Sequence, residues 1–146
     1  APDDLAPEGW LDWLAGWLPG FGELDMLTID YGDQFPRLYR RAPRGTLRGY
    51  FHHMPQSGGD IFANPGHQDI TADVNFSDLA VNGRRLGLAH SPPLTLAGFL
   101  AAQLPQRARQ RSDPGGRRLL DGADAGGQFR VLHQFTAQRR TSATRG

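Results

Sequence analysis

Leu24-Asp25-Met26-Leu27-Thr28-Ile29-Asp30-Tyr31-Gly32 is the stretch on which the fold turns. Met26, Leu27, Thr28 and Ile29 form a short apolar run that Asp30-Tyr31-Gly32 closes. A run of this kind predicts a buried strand of parallel type over Leu24 to Tyr31. Just upstream, Trp10, Leu11, Trp13, Leu14, Trp17 and Leu18 recur at the spacing of an amphipathic helix that begins near Pro7 and is stopped by Pro19-Gly20. Acidic flanks disfavour anionic lipid, so this stripe is expected to pack on a sheet as core. Helix followed by strand is an α/β signature, and in open α/β sheets the ligand crevice lies beyond the carboxyl ends of strands, where Asp30 would sit.

Downstream, Asp33 to Gly45 reads as a Pro-containing, Arg-rich connection, long enough to carry a functional or lid role. Thr46 to His53 has β character, and Met54 to Ile70 reads as a second long loop. A short helix is expected around Val74, Phe76 and Leu79, and a strand at Arg85 to Ala89. Pro93 is expected to open a helix running to about Arg111, with Leu94, Leu96, Phe99, Leu100 and Leu104 as its apolar positions. Asp113-Pro114-Gly115-Gly116 reads as a turn, Phe129, Val131, Leu132 and Phe135 as a last strand, and 136–146 as a frayed Arg-containing tail after a single domain over 1–135.

Composition removes several classes of function. The chain has 146 residues, 38% hydrophobic, enough for one packed domain, while its 19 Gly and 11 Pro interrupt every apolar run. No run approaches the ~18 residues of a membrane-spanning helix. Zero Cys rules out disulfides, thiolate zinc sites and a cysteine nucleophile. Net charge is only +1, which disfavours a general nucleic-acid binder, yet the charge is unevenly placed. Residues 1 to 33 hold eight acids and no Arg, and all 16 basic residues of the chain are Arg. A Lys-free chain suits a GC-rich bacterial genome. No secretory leader is visible, so a cytoplasmic protein is expected. Arg107 to Arg118 has no interleaved aromatics and reads as a solvated face. Dinucleotide, P-loop, serine-hydrolase and zincin motifs are all absent.

What remains is a polar block: Arg48, His52, His53, Asp60, His67, Asp69, Thr71 and Asp73. Two His plus a carboxylate could face a metal ion, but adjacent His side chains point to opposite sides of a strand. The plain alternative is turn capping by Asp69 and Thr71 with one His as a satisfied buried group.

Asp30-Tyr31-Gly32, then Gly45-Thr46-Leu47-Arg48-Gly49-Tyr50 with His53, then Asn64-Pro65-Gly66-His67-Gln68-Asp69-Ile70-Thr71-Ala72-Asp73-Val74-Asn75-Phe76 together resemble the MidA-like S-adenosylmethionine-dependent methyltransferases. That family includes an arginine methyltransferase that assembles respiratory complex I. Phe99-Leu100 and Gly127 to Leu132 extend the resemblance more loosely. It implies an α/β fold, the C-terminal part of a Rossmann-like class I methyltransferase sheet with helices packed on it. It implies S-adenosylmethionine as cofactor and a protein arginine as acceptor, in a respiratory complex subunit for instance. The implied catalytic residues are Asp69, Asp73 and His53, with Asp30, Tyr31, Gly32, Arg48 and Thr71 lining substrate or cofactor. Carboxylates suit a guanidinium because they meet its planar fork bidentately. Asn75 departs from the family's usual Asp, and Gly126 from its Met. The family's glycine-rich cofactor loop is not found here, so the chain is expected to need an N-terminal half and to be inactive alone. The remaining readings are a noncatalytic protein-binding module, with neither nucleic acid nor membrane insertion, or a two-His, one-carboxylate metal site.

Overall fold

The computed structural model describes residues 5–56, 58–106 and 113–136. Helix α1, Leu5–Trp17, ends in a 3-10 turn at Leu18–Gly20, where the proline was expected to stop it. Trp10 packs against the core and Leu14 is buried, but Trp13 and Trp17 are each 55% exposed. The expected core stripe is therefore only half used. Trp13 lies about 60° round the axis from Trp10, and Trp17 occupies the last turn. A Cβ on Gly9 would meet nothing, so Gly9→Ala should add about 0.5–1 kcal/mol of stability, read as a small rise in the melting temperature.

Strand β1, Asp25–Asp33, is followed by α2, Arg37–Arg41, then β2, Arg48–Phe51, and β3, Met54–Gln56. A 3-10 turn, Gly58–Phe62, leads to β4, Asp69–Thr71, and β5, Val74–Asn75. Then come α3, Phe76–Arg85, β6, Leu88–His90, β7, Leu94–Thr95, and α4, Leu96–Gln103. The last elements are α5, Pro114–Leu120, α6, Ala125–Gln128, and β8, Phe129–Thr136. The main sheet runs β5-β1-β8-β6, with β7 also on β8, while β3-β2-β4 form a separate antiparallel sheet. No helix among the described residues is long and apolar enough to cross a membrane.

The fold class is the expected α/β, but β1 corrects the reading of its strand. It pairs antiparallel with β8 from Asp25↔Phe135 to Tyr31↔Phe129, and parallel with β5 only at Gly32↔Val74 and Asp33↔Asn75. Its other edge is unpaired from Asp25 to Tyr31 among the described residues. Leu27, Ile29 and Tyr31, which share one face, are 49%, 46% and 42% exposed. Thr28 lies on the opposite face beside Leu132, which packs with Phe76, Leu79 and Ala80 of α3. At β1 the helices cover that side alone.

Helix α3 forms because Phe76, Leu79, Ala80 and Gly83 fall on one buried face and Asn75 caps it, its Oδ1 accepting from Ser77 N. Gln134 crosses that face fully buried, and its Nε2 donates to Leu79 O at 3.2 Å. A Cβ on Gly83 would stand 1.8 Å from the same nitrogen, which explains the glycine.

Other boundaries shift for local reasons. Thr95 Oγ1 accepts from Gly98 N, so α4 starts at Leu96 and not at Pro93, and it ends at Gln103. Residues 107–112, where that helix was expected to continue, lie outside the described residues. Asp113, expected in a turn, caps a helix instead, accepting from Gly116 N at 2.7 Å with Pro114 in the first helical turn. The expected strand at Arg85 gives way to α3, and both long loops contain short elements. Thr136 belongs to β8 and bonds Leu24 in both directions, one residue past the expected domain end. The tail 137–146 lies outside the described residues.

Candidate functional site

Most of the polar residues singled out by sequence fall at the carboxyl end of β1 or on and beside the β3-β2-β4 sheet, while Asp60 lies in the 3-10 turn and His67 in the turn before β4. Strand β1 continues three residues past Asp30. Asp30 is exposed, its Oδ1 accepting from Tyr31 N, and Tyr31 stacks on Phe129 with ring centres 4.1 Å apart. Gly32 has φ +156°, and a Cβ there would lie 2.1 Å from Val74 O, so only glycine lets β5 approach.

Asp33 holds the next position. It is 3% exposed, pairs with Arg130 at 3.2 Å, and its Oδ1 accepts from Gln34 N. Arg130 also donates to Gly127 O and Phe129 O. This pair escaped the sequence reading, although an Arg between Phe129 and Val131 in a core strand calls for a buried acid opposite.

Arg48 stands opposite Thr71 across β2 and β4, and Tyr50 opposite Asp69. Asp73 follows β4 with a nearly buried carboxylate. One oxygen takes Arg48 at 2.7 Å, the other takes Arg41 of α2 at 2.5 Å, and Thr46 Oγ1 donates to the Asp73 carbonyl. The hydrogen bond that Arg48 donates to Asp73 is the largest influence raising the Arg48 pKa above its usual value. Arg48 thus holds a loop carboxylate, and Asp73 ties α2, β2 and the approach to β5 together.

Asp69 lies on the same face of β4 as Thr71, one position either side of Ile70, but it is exposed and its carboxylate has no partner among the described residues. Asp69 and Asp73 are therefore not alike: one is open, the other committed. His52 and His53 form the two-residue turn joining β2 to β3, with φ +49° and +63°, the signs of a type I′ hairpin turn. His53 lies beyond Phe51, roughly 10 Å along the strand from Arg48, so the structure does not bring it to Asp73. Among the described residues no three His, Asp or Glu side chains converge as metal ligands. Gln68 staples the preceding segment, donating to Asp60 O and Ile61 O and accepting from Asn64.

A nucleoside sulfonium needs a glycine-bearing turn from a sheet strand into a helix, where backbone can approach it closely. The turns leading from β1 to α2, β5 to α3 and β7 to α4 contain no glycine. Gly32, Gly49, Gly83, Gly126 and Gly127 are packed against the protein itself. The residues present do not fit that cofactor by themselves.

Two solved structures from Burkholderia thailandensis share the fold. One is an uncharacterized ACR superfamily protein, 24% identical with a TM-score of 0.68 over 90% of this chain. The other, of the same superfamily and bound to S-adenosyl-homocysteine, is 23% identical with a TM-score of 0.66 over 87% of this chain. This chain spans 37% and 35% of their respective lengths. No curated protein matches it. Residues 6–93, more than half of the chain, match the family described as "Putative S-adenosyl-L-methionine-dependent methyltransferase", and the chain belongs to that family.

Proposed function

We propose that this chain is the acceptor-side portion of an S-adenosylmethionine-dependent methyltransferase that modifies arginine in a protein, a respiratory complex subunit being one candidate. The family match carries the methyltransferase part of the reading, and the open carboxylate of Asp69 supports an arginine acceptor. Its remaining portion, which would bring the cofactor loop, is proposed to pair along the free edge of β1 and cover Leu27 and Ile29, since an open strand edge beside exposed apolar residues is a template for a further strand. The cofactor would supply the electrophilic methyl group, and this chain positions the acceptor. Asp69, open and negative, can meet two guanidinium N–H groups at once and orient one nitrogen. Asp73 is a positioning residue, since both of its oxygens are already held by Arg41 and Arg48.

The test joins the chain to the cofactor-binding portion and supplies labelled S-adenosylmethionine with an arginine-bearing protein. Methylarginine in the acid hydrolysate is the expected product. Label on another residue would overturn the arginine assignment, and no transfer at all would overturn the enzyme. Asp69→Asn is expected to reduce transfer about 100-fold with the melting temperature unchanged. Asp73→Asn should lower stability by about 1–3 kcal/mol, moderated because both arginines are half-exposed, with activity falling alongside.

A further inference from the structure

We propose that Trp13, Trp17 and Phe21, with Asp12 at their rim, form a binding groove for an arginine-bearing segment of a partner protein. The three rings make a ladder: Trp13 and Trp17 lie 5.9 Å apart, and Trp17 stacks on Phe21 at 6.2 Å with the planes 14° from parallel. They line a shallow cleft of about 620 Å³ with Asp12, Gly16 and Gly20. A Cβ at either glycine would meet nothing, so the floor between the rings is open. All three rings are at least 45% exposed.

This surface is separate from the open face of β1. Helix α1 packs through Trp10 on the Leu132 side of the sheet, whereas Leu27 and Ile29 point to the opposite side. Charge selects the occupant. Asp12 is the charged group lining the cleft among the described residues, and no Arg occurs in residues 1 to 33. Phosphate backbones and anionic lipid are repelled, while a cation is drawn in and then stacks on the electron-rich indole faces. A guanidinium suits the ladder better than an ammonium because it is planar and weakly hydrated, so it can lie flat on one ring while bonding Asp12. The proposal does not depend on methyl transfer.

The test is a fluorescence titration of the full chain with the peptide Gly-Arg-Gly-Arg-Gly, beside versions with lysine or with citrulline, which keeps the shape and removes the charge. The arginine peptide should quench indole emission, and the citrulline peptide should bind about 10-fold more weakly or not at all. Trp17→Ala should weaken arginine-peptide binding about 3- to 30-fold, and Asp12→Asn by a smaller factor. Trp17→Phe, which keeps a ring face, should retain most of it, and Gly16→Leu, which fills the floor, should lose it. Circular dichroism checks that each variant folds. Equal binding of the citrulline peptide would overturn the proposal, as would an unchanged affinity in Trp17→Ala or equal losses in the Phe and Ala variants. Preference for an oligonucleotide or for phosphatidylserine vesicles would also overturn it, and so would quenching that tracks self-association of the chain.

Discussion

Gly32→Ala should remove about 2–4 kcal/mol of stability and lower the melting temperature by roughly 4–16 °C. The added carbon would stand 2.1 Å from Val74 O, a backbone atom that cannot rotate away, and φ +156° disfavours any side chain there. Relief requires β5 to retreat from β1. Because β5 runs directly into α3 through Asn75, that retreat would disturb the cap and loosen Phe76 and Leu79 from Leu132. Thermal unfolding followed by circular dichroism measures it. A melting temperature within a degree of the parent would show that β5 is not held by this approach.

Arg130→Met is the second large effect. It leaves the Asp33 carboxylate buried with Gln34 N as its remaining bond and also strips donors from Gly127 O and Phe129 O, so a loss of about 3–5 kcal/mol is expected in urea unfolding. Combining it with Asp33→Asn removes the stranded charge and should recover part of that loss. A single variant costing under about 1 kcal/mol, or a double variant worse than the sum, would show that the pair does not work as a buried ion pair.

What the sequence disclosed depended on whether the deciding partner was near or far in the chain. Helix α1 was placed within about two residues because its apolar spacing and Pro19 are local. The strand at β1 was legible as a strand, but its antiparallel direction was not, since β8 lies about a hundred residues away. Composition cannot say which face of a strand will be covered, and Leu27 and Ile29 look as core-like in sequence as Met26. Asp113-Pro114 was misread because the residues that make a turn also open a helix, and the side-chain bond to Gly116 N decides between them. In the polar block, sequence grouped Asp69 with Asp73, and their different burial could not be seen. Asp33 carries no local signal, since its partner Arg130 lies 97 residues on.

β8 lies between β1 and β6, yet it is the last strand of the described chain to be synthesised. A ribosome delivering this protein therefore releases β1 early and the strand that zips onto it late. Until Phe129 to Thr136 clear the exit tunnel, β1 has only its two-residue contact with β5 among the described strands, and the edge that β8 will pair stays open. Pairing of β1 with β8 must then wait for β8 and is limited by long-range loop closure. During that interval the strand's unpaired edge is a template for wrong pairing with another chain.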